Sequence, residues 1–343
     1  MQTSLVLEIT AHFPINTRKD TDILLSKQTY VPIWQTIEWQ LMLQDTKYVQ
    51  KSFFIGVYED EILVSYALVE KRSIGLCQYG LFCIGGPIKQ GQSSRDMLGH
   101  IFEELAKKES AVFIQIEPLT PLVLPYFRSG EYKHFLEKHT ALIDLMQDEE
   151  TLLARMKPKG RYNIHVAEKT DVKIEQAHYS EANLAAFYGL LSETLERDKF
   201  SANSREYFSI FLQYIEKYDL GGLFLAKRED ELIAGGIFIF YKNTAFYYYG
   251  ASSSDNAKRK YMATYLLQWY AIREAKKRGC DVFDFLGIAD PEDQNSPLAG
   301  VTDFKLKLTN QTQVWGDSQI FVTRKFLFSL LVIRRKLKKI FSR

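Results

Sequence analysis

Apolar runs at Lys51–Tyr58 and Ile62–Glu70, parted by Glu59-Asp60-Glu61, predict the two strands of a hairpin. A third strand is predicted over Ser73–Ile84, closed by Gly85-Gly86-Pro87. Helical spacing follows over Ser94–Glu109, with Leu98, Ile101, Phe102 and Leu105 on one face. Val112–Ile116 is a short buried strand, and Ile33–Leu43 a helix with Trp34, Ile37 and Leu41 inward. Further on, the pattern predicts a strand at Thr140–Leu145 and a helix opened by Asp148-Glu149-Glu150, where acids favour the first turn. Met156–Gly160 breaks that helix, and a base-rich helix continues over Arg161–Lys169. Helices at Glu181–Arg197 and Ser204–Lys217 precede strands at Leu223–Lys227, Glu231–Tyr241 and Thr244–Gly250. A long helix, Tyr261–Arg278, is stopped by Gly279, and Val282–Leu286 and Phe304–Leu308 are late strands.

This order occurs twice. Phe54–Leu63 reappears 170 positions later as Phe224–Ile233, Tyr79-Gly80 falls on Tyr249-Gly250, and Phe113 on Phe283. Ala106-Lys107-Lys108 matches Ala275-Lys276-Lys277 with a slip of one. A shared offset across strands, turn and helix marks an internal duplication. The predicted class is α+β, two mixed-sheet domains at 1–143 and 144–315, with the helical segment 316–343 packing back on the first. The copies differ where chemistry is expected: Gln90–Arg95 in the first stands where Lys258-Arg259-Lys260 stands in the second.

Composition narrows the classes. An apolar share of 46% supplies two cores, and 20 Tyr and 23 Phe suit either large cores or an aromatic groove. Three cysteines without Cys-x-x-Cys spacing indicate reduced thiols and a cytoplasmic protein. His134 and His139 are five apart, poor spacing for two ligands on one helix face, so no metal is expected. The start Met1-Gln2-Thr3-Ser4 has no signal-peptide pattern, and no run is long enough for a membrane span. Charge is uneven: Arg324–Arg343 holds eight Lys/Arg and no acid, leaving 36 basic against 42 acidic residues elsewhere, a net of −6. Such a tail suits an anionic membrane, a nucleic-acid backbone, or a helix packed on the body with a solvated basic side.

Hairpin, third strand, long helix and buried strand in this order resemble the GNAT acyltransferase fold. There a glycine-rich run at the helix N-terminus cradles the coenzyme A pyrophosphate. Here Asn256–Ala263 has no glycine and three bulky cations, so acyl-CoA is a poor donor. Tyr249–Ser254, Tyr261–Trp269, Ile272–Ala275 and Gly279–Ile288, with the basic segment Lys157–Lys169 and the closing Leu298–Lys305, are similar to the FemABX family. These are two-domain, GNAT-like bacterial aminoacyltransferases that build peptidoglycan bridges from aminoacyl-tRNA. The resemblance spans roughly Trp34 to Trp315. Two departures are visible. Ser204–Leu220 is too short for the coiled-coil arm of many members. The lysine that some members carry just after the early tryptophan is missing, since Trp39 is followed by Gln40 to Leu43 and the next lysine is Lys47. That favours a lipid-linked acceptor over a UDP-linked one.

The implied reaction is attack of an amine on the aminoacyl ester, for which orientation and oxyanion stabilisation matter most. Lys305 is the first candidate for that charge, although Asp303, Lys305 and Lys307 alternate as an exposed strand face would. Tyr247 and Tyr249, placed on one strand face, are candidate proton donors or relays, against plain core packing. Arg197 would meet acceptor phosphate or carboxylate, or else satisfy carbonyls at its helix end. Lys159 and Arg161 would meet acceptor phosphate or tRNA, or form a solvated face. Phe304, next to Lys305, is a candidate substrate-binding residue. Asp284 would steer the amine, or pair structurally in the core. Lys258, Arg259 and Lys260 would contact phosphates of the tRNA acceptor end, or form a solvent-exposed loop.

The expected function is transfer of an amino acid from aminoacyl-tRNA, the co-substrate, to a stem-peptide amine of a peptidoglycan precursor, without cofactor or metal. Transfer to a protein or small metabolite, and a non-catalytic membrane-associated RNA-binding role, are the alternatives. Peripheral contact at the inner membrane face through the basic tail is a further expectation.

Overall fold

The computed structural model describes residues 2–89, 95–293 and 295–341, so the first-copy loop at 90–94 lies outside the described residues. The chain divides into two units. One comprises Met1–Gln28, Pro32–Leu136 and Trp315–Arg343, the other Thr29–Val31 and Glu137–Val314.

In the first unit, β1 (Gln2–Glu8), α1 (Ile15–Ser26) and α2 (Ile37–Asp45) precede the predicted hairpin, β2 (Lys51–Glu59) and β3 (Ile62–Gly75). Then come β4 (Gln78–Ile84), β5 (Ile88–Lys89), α3 (Arg95–Lys108), β6 (Phe113–Glu117) and β7 (Arg128–Ser129). The sheet runs β1-β2-β3-β4-β6, then the strand Gln319–Val322, then β7, with β5 on β3. The helix predicted over Ile33–Leu43 is split, because Thr36 adopts extended backbone and caps α2 through its hydroxyl. The single strand predicted over Ser73–Ile84 is also split. Leu76 and Cys77 both take left-handed backbone (φ 53° each) and turn the chain, although neither residue type signals a turn.

The second unit contains β8 (His139–Asp144), α4 (Glu149–Arg155), α5 (Pro158–Lys169), β9 (Lys173–Ala177), α6 (Glu181–Asp198) and α7 (Arg205–Lys217). Its repeat is β10 (Gly221–Arg228), β11 (Glu231–Tyr241), β12 (Thr244–Ser252), a short α8 (Asn256–Arg259), α9 (Ala263–Lys277) and β13 (Val282–Ile288). α10 (Ala299–Lys305) and β14 (Gln311–Val314) complete it. The strand order is β14-β8-β13-β12-β11-β10-β9. β8 pairs antiparallel with β13, so residues 139–143 belong to this sheet, and the second unit begins at Glu137 rather than at 144.

The duplication is visible in both sheets. β4 crosses over through α3 to a parallel β6, and β12 crosses through α9 to a parallel β13. Both hairpin turns place two successive residues at positive φ, Asp60-Glu61 (47° and 66°) and Glu229-Asp230 (50° and 66°), as a type I′ turn requires. Beside each turn the strand pairing shifts register, between Val57 and Tyr58 and between Ala226 and Lys227, leaving one extra residue on the second strand. Equivalent turn residues are thus 169 apart, one fewer than the letters suggest. The Tyr-Gly match is not structural either: Gly80 pairs Arg72 close to the β3–β4 turn, while Gly250 pairs Gly236 far from the β11–β12 turn.

Each crossover helix seals one core. Leu98, Ile101, Phe102 and Leu105 of α3 are buried, as their spacing predicts, against Phe53, Ile55, Val69 and Leu81. Leu267, Ile272 and Ala275 of α9 pack with Phe224, Phe238 and Phe283. The Phe224 ring meets Phe238 edge-on at 5.4 Å and is wholly buried. Phe224→Ala should therefore cost about 3–5 kcal/mol, through reduced burial plus a cavity. A urea titration followed by fluorescence checks this, and a loss below about 1 kcal/mol would contradict the packing described.

Candidate active site

The second unit holds a cavity of about 1080 Å³ between strands that stop pairing. β12 pairs with β13 only over Thr244–Phe246 and Val282–Asp284, yet both strands run on, to Ser252 and Ile288. Beyond the last pair, Tyr247–Ser252 and Phe285-Leu286 line the opening. On its other side β13 also leaves register with β8 between Asp284 and Gly287. There Leu286 sits at φ 59°, a left-handed conformation costly for a branched apolar residue.

That irregular stretch serves Lys305. Its Nζ donates to the carbonyls of Gly287 (2.7 Å) and Leu286 (3.2 Å). Lys305 is only 7% exposed. Burial pulls its ammonium down to about 8, against the opposing pull of Asp284 and Glu137. The late strand predicted at Phe304–Leu308 is instead the end of α10 and the turn after it. The alternation there mimics a strand, but Lys307 and Asp303 form an ion pair at helical i,i+4 spacing. The exposed-face alternative for Lys305 is therefore wrong. Phe304 lies beside it, its ring edge-on to Tyr265 at 5.0 Å.

Asp284 does not reach the cavity. It is wholly buried and accepts from Tyr30 Oη (2.5 Å), Leu286 N (2.7 Å) and the Thr140 hydroxyl. Its structural reading holds: burial raises its pKa, and these donors oppose the rise. Through the Leu286 amide it braces the bulge whose carbonyls hold Lys305.

Tyr247 and Tyr249 both line the cavity, but not from one sheet face. Pairing with β11 shifts between Ile237 and Phe238, leaving Tyr248 as an extra residue on β12. A bulge of one residue breaks the alternation. Tyr247 stacks on Phe238 (5.3 Å), in the α9-side core, whereas Tyr249 packs on Phe208 (4.7 Å) and Phe211 (6.0 Å) of α7. The Tyr247 hydroxyl occupies the place a Cβ would take at Gly250, and burial pushes that phenol up to about 12. Asn203 Nδ2 donates to Tyr249 Oη at 3.2 Å.

Among the cations, Lys159, Arg197, Arg259 and Lys260 line the cavity. Arg197 grips Asp198 with two bonds of 2.9 Å and also donates to the Ser252 carbonyl (3.1 Å). Its carbonyl-satisfying role is thus present, at the cavity wall. Lys258 turns to Glu231 (2.7 Å) and does not line the cavity. Arg161 is likewise absent from the lining; its guanidinium donates to the carbonyls of Ala154 (3.1 Å) and Met156 at the end of α4. Each is held by an acceptor outside the cavity.

The start of α9 faces the same space. Met262 is left-handed (φ 53°), no side chain caps the helix, and Met262 to Tyr265 line the cavity. The Tyr265 amide turns back to the Met262 carbonyl (2.9 Å), while the uncapped first N–H groups of the helix favour an anion, next to Arg259 and Lys260. The Lys157–Gly160 segment has a packing reason. Lys157 N donates to the Lys307 carbonyl (3.1 Å), Pro158 opens α5, and a Cβ at Gly160 would collide with that same carbonyl oxygen.

Sequence reasoning misses Asn163 and Tyr265. Asn163 lines the cavity, is 2% exposed, and its Oδ1 has no hydrogen-bond partner among the described residues. Its signal is a lone polar residue in the buried row Gly160, Ile164, Ala167. Among the described residues no cluster of three or more His, Cys, Asp or Glu is arranged for a metal, and no helix is long and apolar enough to cross a membrane.

Comparison with known proteins agrees with this architecture. The whole chain resembles a solved structure of FemX, with TM-score 0.80 and 16% identity, over 96% of this chain and 100% of that one. It also resembles the C-terminal domain of a putative lysylphosphatidylglycerol synthetase from Agrobacterium fabrum, with TM-score 0.56 and 11% identity over 93% and 95% of the two chains. At these identities the likeness concerns the fold: an α+β architecture with two mixed sheets. By sequence, 100 residues are 30% identical to a lipid II:glycine glycyltransferase of Staphylococcus epidermidis. That match spans 29% of this chain and only 22% of the relative. The FemAB family profile matches residues 127–221 and 222–314, more than half of the chain and nearly all of the cavity-bearing unit. The chain belongs to the FemAB family.

Proposed function

We propose that the protein is an aminoacyltransferase that moves an amino acid from aminoacyl-tRNA to an amine on the stem peptide of a lipid-linked peptidoglycan precursor. One observation carries the reading. Lys305 is a buried cation with two of its three N–H groups held by Leu286 and Gly287, and the third without a protein acceptor among the described residues. A fixed ammonium with one donor to spare, at a cavity wall, suits a carbonyl oxygen that becomes negative. The family, and the substrate named for the staphylococcal relative, support the acceptor class.

In the proposed step the acceptor amine attacks the ester carbonyl, forming a C–N bond. The tetrahedral oxyanion takes its hydrogen bond from Lys305. Collapse breaks the ester C–O bond, and the proton lost by the amine ends on the ribose oxygen that leaves. Tyr247 stays protonated at neutral pH and would serve as a donor. Phe304 and Tyr265 offer ring faces to the terminal base of the tRNA, while Arg259, Lys260 and the α9 N-terminus suit its phosphates. Arg197 and Lys159 are assigned to the acceptor side.

Incubation with charged tRNA and lipid-linked precursor tests the reading directly. Label should appear on the stem peptide. Label on protein or a small metabolite instead, or tRNA binding without transfer, would overturn it in favour of the two alternative functions.

Lys305→Ala should lower kcat by about 10²–10³, the usual cost of removing one oxyanion donor, with the thermal transition retained. An unchanged rate would remove Lys305 from the reaction. The pH profile carries a sign: Lys305 acts when charged, so the rate should fall as pH rises through about 8. Lys305→Arg, charged throughout, should retain part of the activity and lose that alkaline limb. Replacing Arg259 and Lys260 together by glutamine should weaken tRNA binding and reduce the slope of log affinity against log salt by about 0.7 for each phosphate no longer neutralised. An unaltered slope would move the tRNA elsewhere. Gly160→Val should cut turnover by displacing the Lys307 carbonyl, and full activity would show that this close approach is dispensable.

A further inference from the structure

The C-terminal helix Lys325–Phe341 has two apolar faces, and the fold uses only one. Phe328 meets Phe113 edge-on at 5.4 Å and Tyr132 at 6.1 Å, while Leu331 is 1% exposed. The Arg335 guanidinium lies over the Tyr132 ring at 5.3 Å. Phe326, Leu330, Ile333 and Leu337 are exposed by 79%, 45%, 54% and 48%. At 3.6 residues per turn these four fall within an arc of about 60°, opposite Phe328 and Arg335. Exposed cations flank the row, Arg334 on one side, Lys325 and Lys336 on the other, and no acid occurs from Arg324 to the end of the chain.

We infer that this face docks on an anionic phospholipid surface, with the four apolar side chains in the headgroup boundary and the flanking cations on lipid phosphates. Charge selects the occupant. A second copy of the chain would bring like charges together across a two-fold axis. A nucleic-acid backbone would be met along the centre of the face by apolar groups, with cations only at its edges. An anionic bilayer matches both components, as in helices that lie in the interface plane. No described helix can cross a bilayer, so the helix rests on the surface. The inference is independent of the proposed acyl transfer, because its test contains neither tRNA nor precursor.

The test is co-sedimentation of the full chain with sucrose-loaded vesicles, either pure phosphatidylcholine or 70:30 phosphatidylcholine:phosphatidylglycerol. Binding should be at least tenfold stronger to the anionic vesicles and should weaken with salt. The combined variant F326S/L330S/I333S/L337S should lose at least tenfold of it, with its thermal transition retained because those side chains are exposed. Lys325, Arg334 and Lys336 changed together to glutamine should remove the preference for the anionic lipid. Equal binding to both vesicle types would overturn the inference. So would unchanged binding of the apolar variant, or a dimer in sedimentation velocity that the same variant abolishes while vesicle binding is absent.

Discussion

One buried cation organises the candidate site. Lys305 lies in a place where an ammonium is costly, and its retention there depends on carbonyl groups turned out of the sheet ladder. Those carbonyls exist because β13 leaves register after Asp284 and passes through a left-handed Leu286. Asp284 in turn is tied by Tyr30, Thr140 and the Leu286 amide. The chain of dependence runs from a buried carboxylate to a bulged backbone, to an oriented ammonium, to a cavity wall. The carboxylate and the ammonium are both buried and both bonded to the bulged backbone, so removal of one should disturb the other beyond its immediate neighbours.

Duplication supplied the scaffold for this arrangement, and divergence supplied the cavity. Both units share the I′ hairpin with its bulge, the crossover helix and the parallel strand pair. The pairing of β4 with β6 continues over four residues, Leu81–Ile84, whereas β12 and β13 pair over three and then diverge around the cavity. The divergence opens the space that Tyr247, Tyr249, Lys305 and the start of α9 line.

Most of the fold is legible in the sequence, because helices and strands in both cores follow simple periods. Leu98, Ile101, Phe102 and Leu105 show this well. Legibility ends where a local device overrides the period. Leu76-Cys77 turns without turn residues, Tyr248 bulges out of an even tyrosine run, and Asp303–Leu308 alternates like a strand while ending a helix. The cavity set is partly legible. Lys305, Phe304, Tyr247, Tyr249, Arg197, Lys159, Arg259 and Lys260 converge, and the family resemblance and the basic runs point to all of them. Arg161, Lys258 and Asp284 do not converge, since the acceptors or donors that claim them are set by tertiary packing and leave no linear pattern.

The most direct measurement is the ionisation of Lys305 itself. Heteronuclear NMR of protein labelled at lysine Cε and Nζ, with Lys305→Arg to assign the signal, follows that one group through titration. The expected midpoint is near 8, displaced by burial from the ordinary lysine range. A midpoint near the ordinary value of about 10.4 would mean a solvated lysine, and would contradict the buried, carbonyl-held cation on which the proposed chemistry rests.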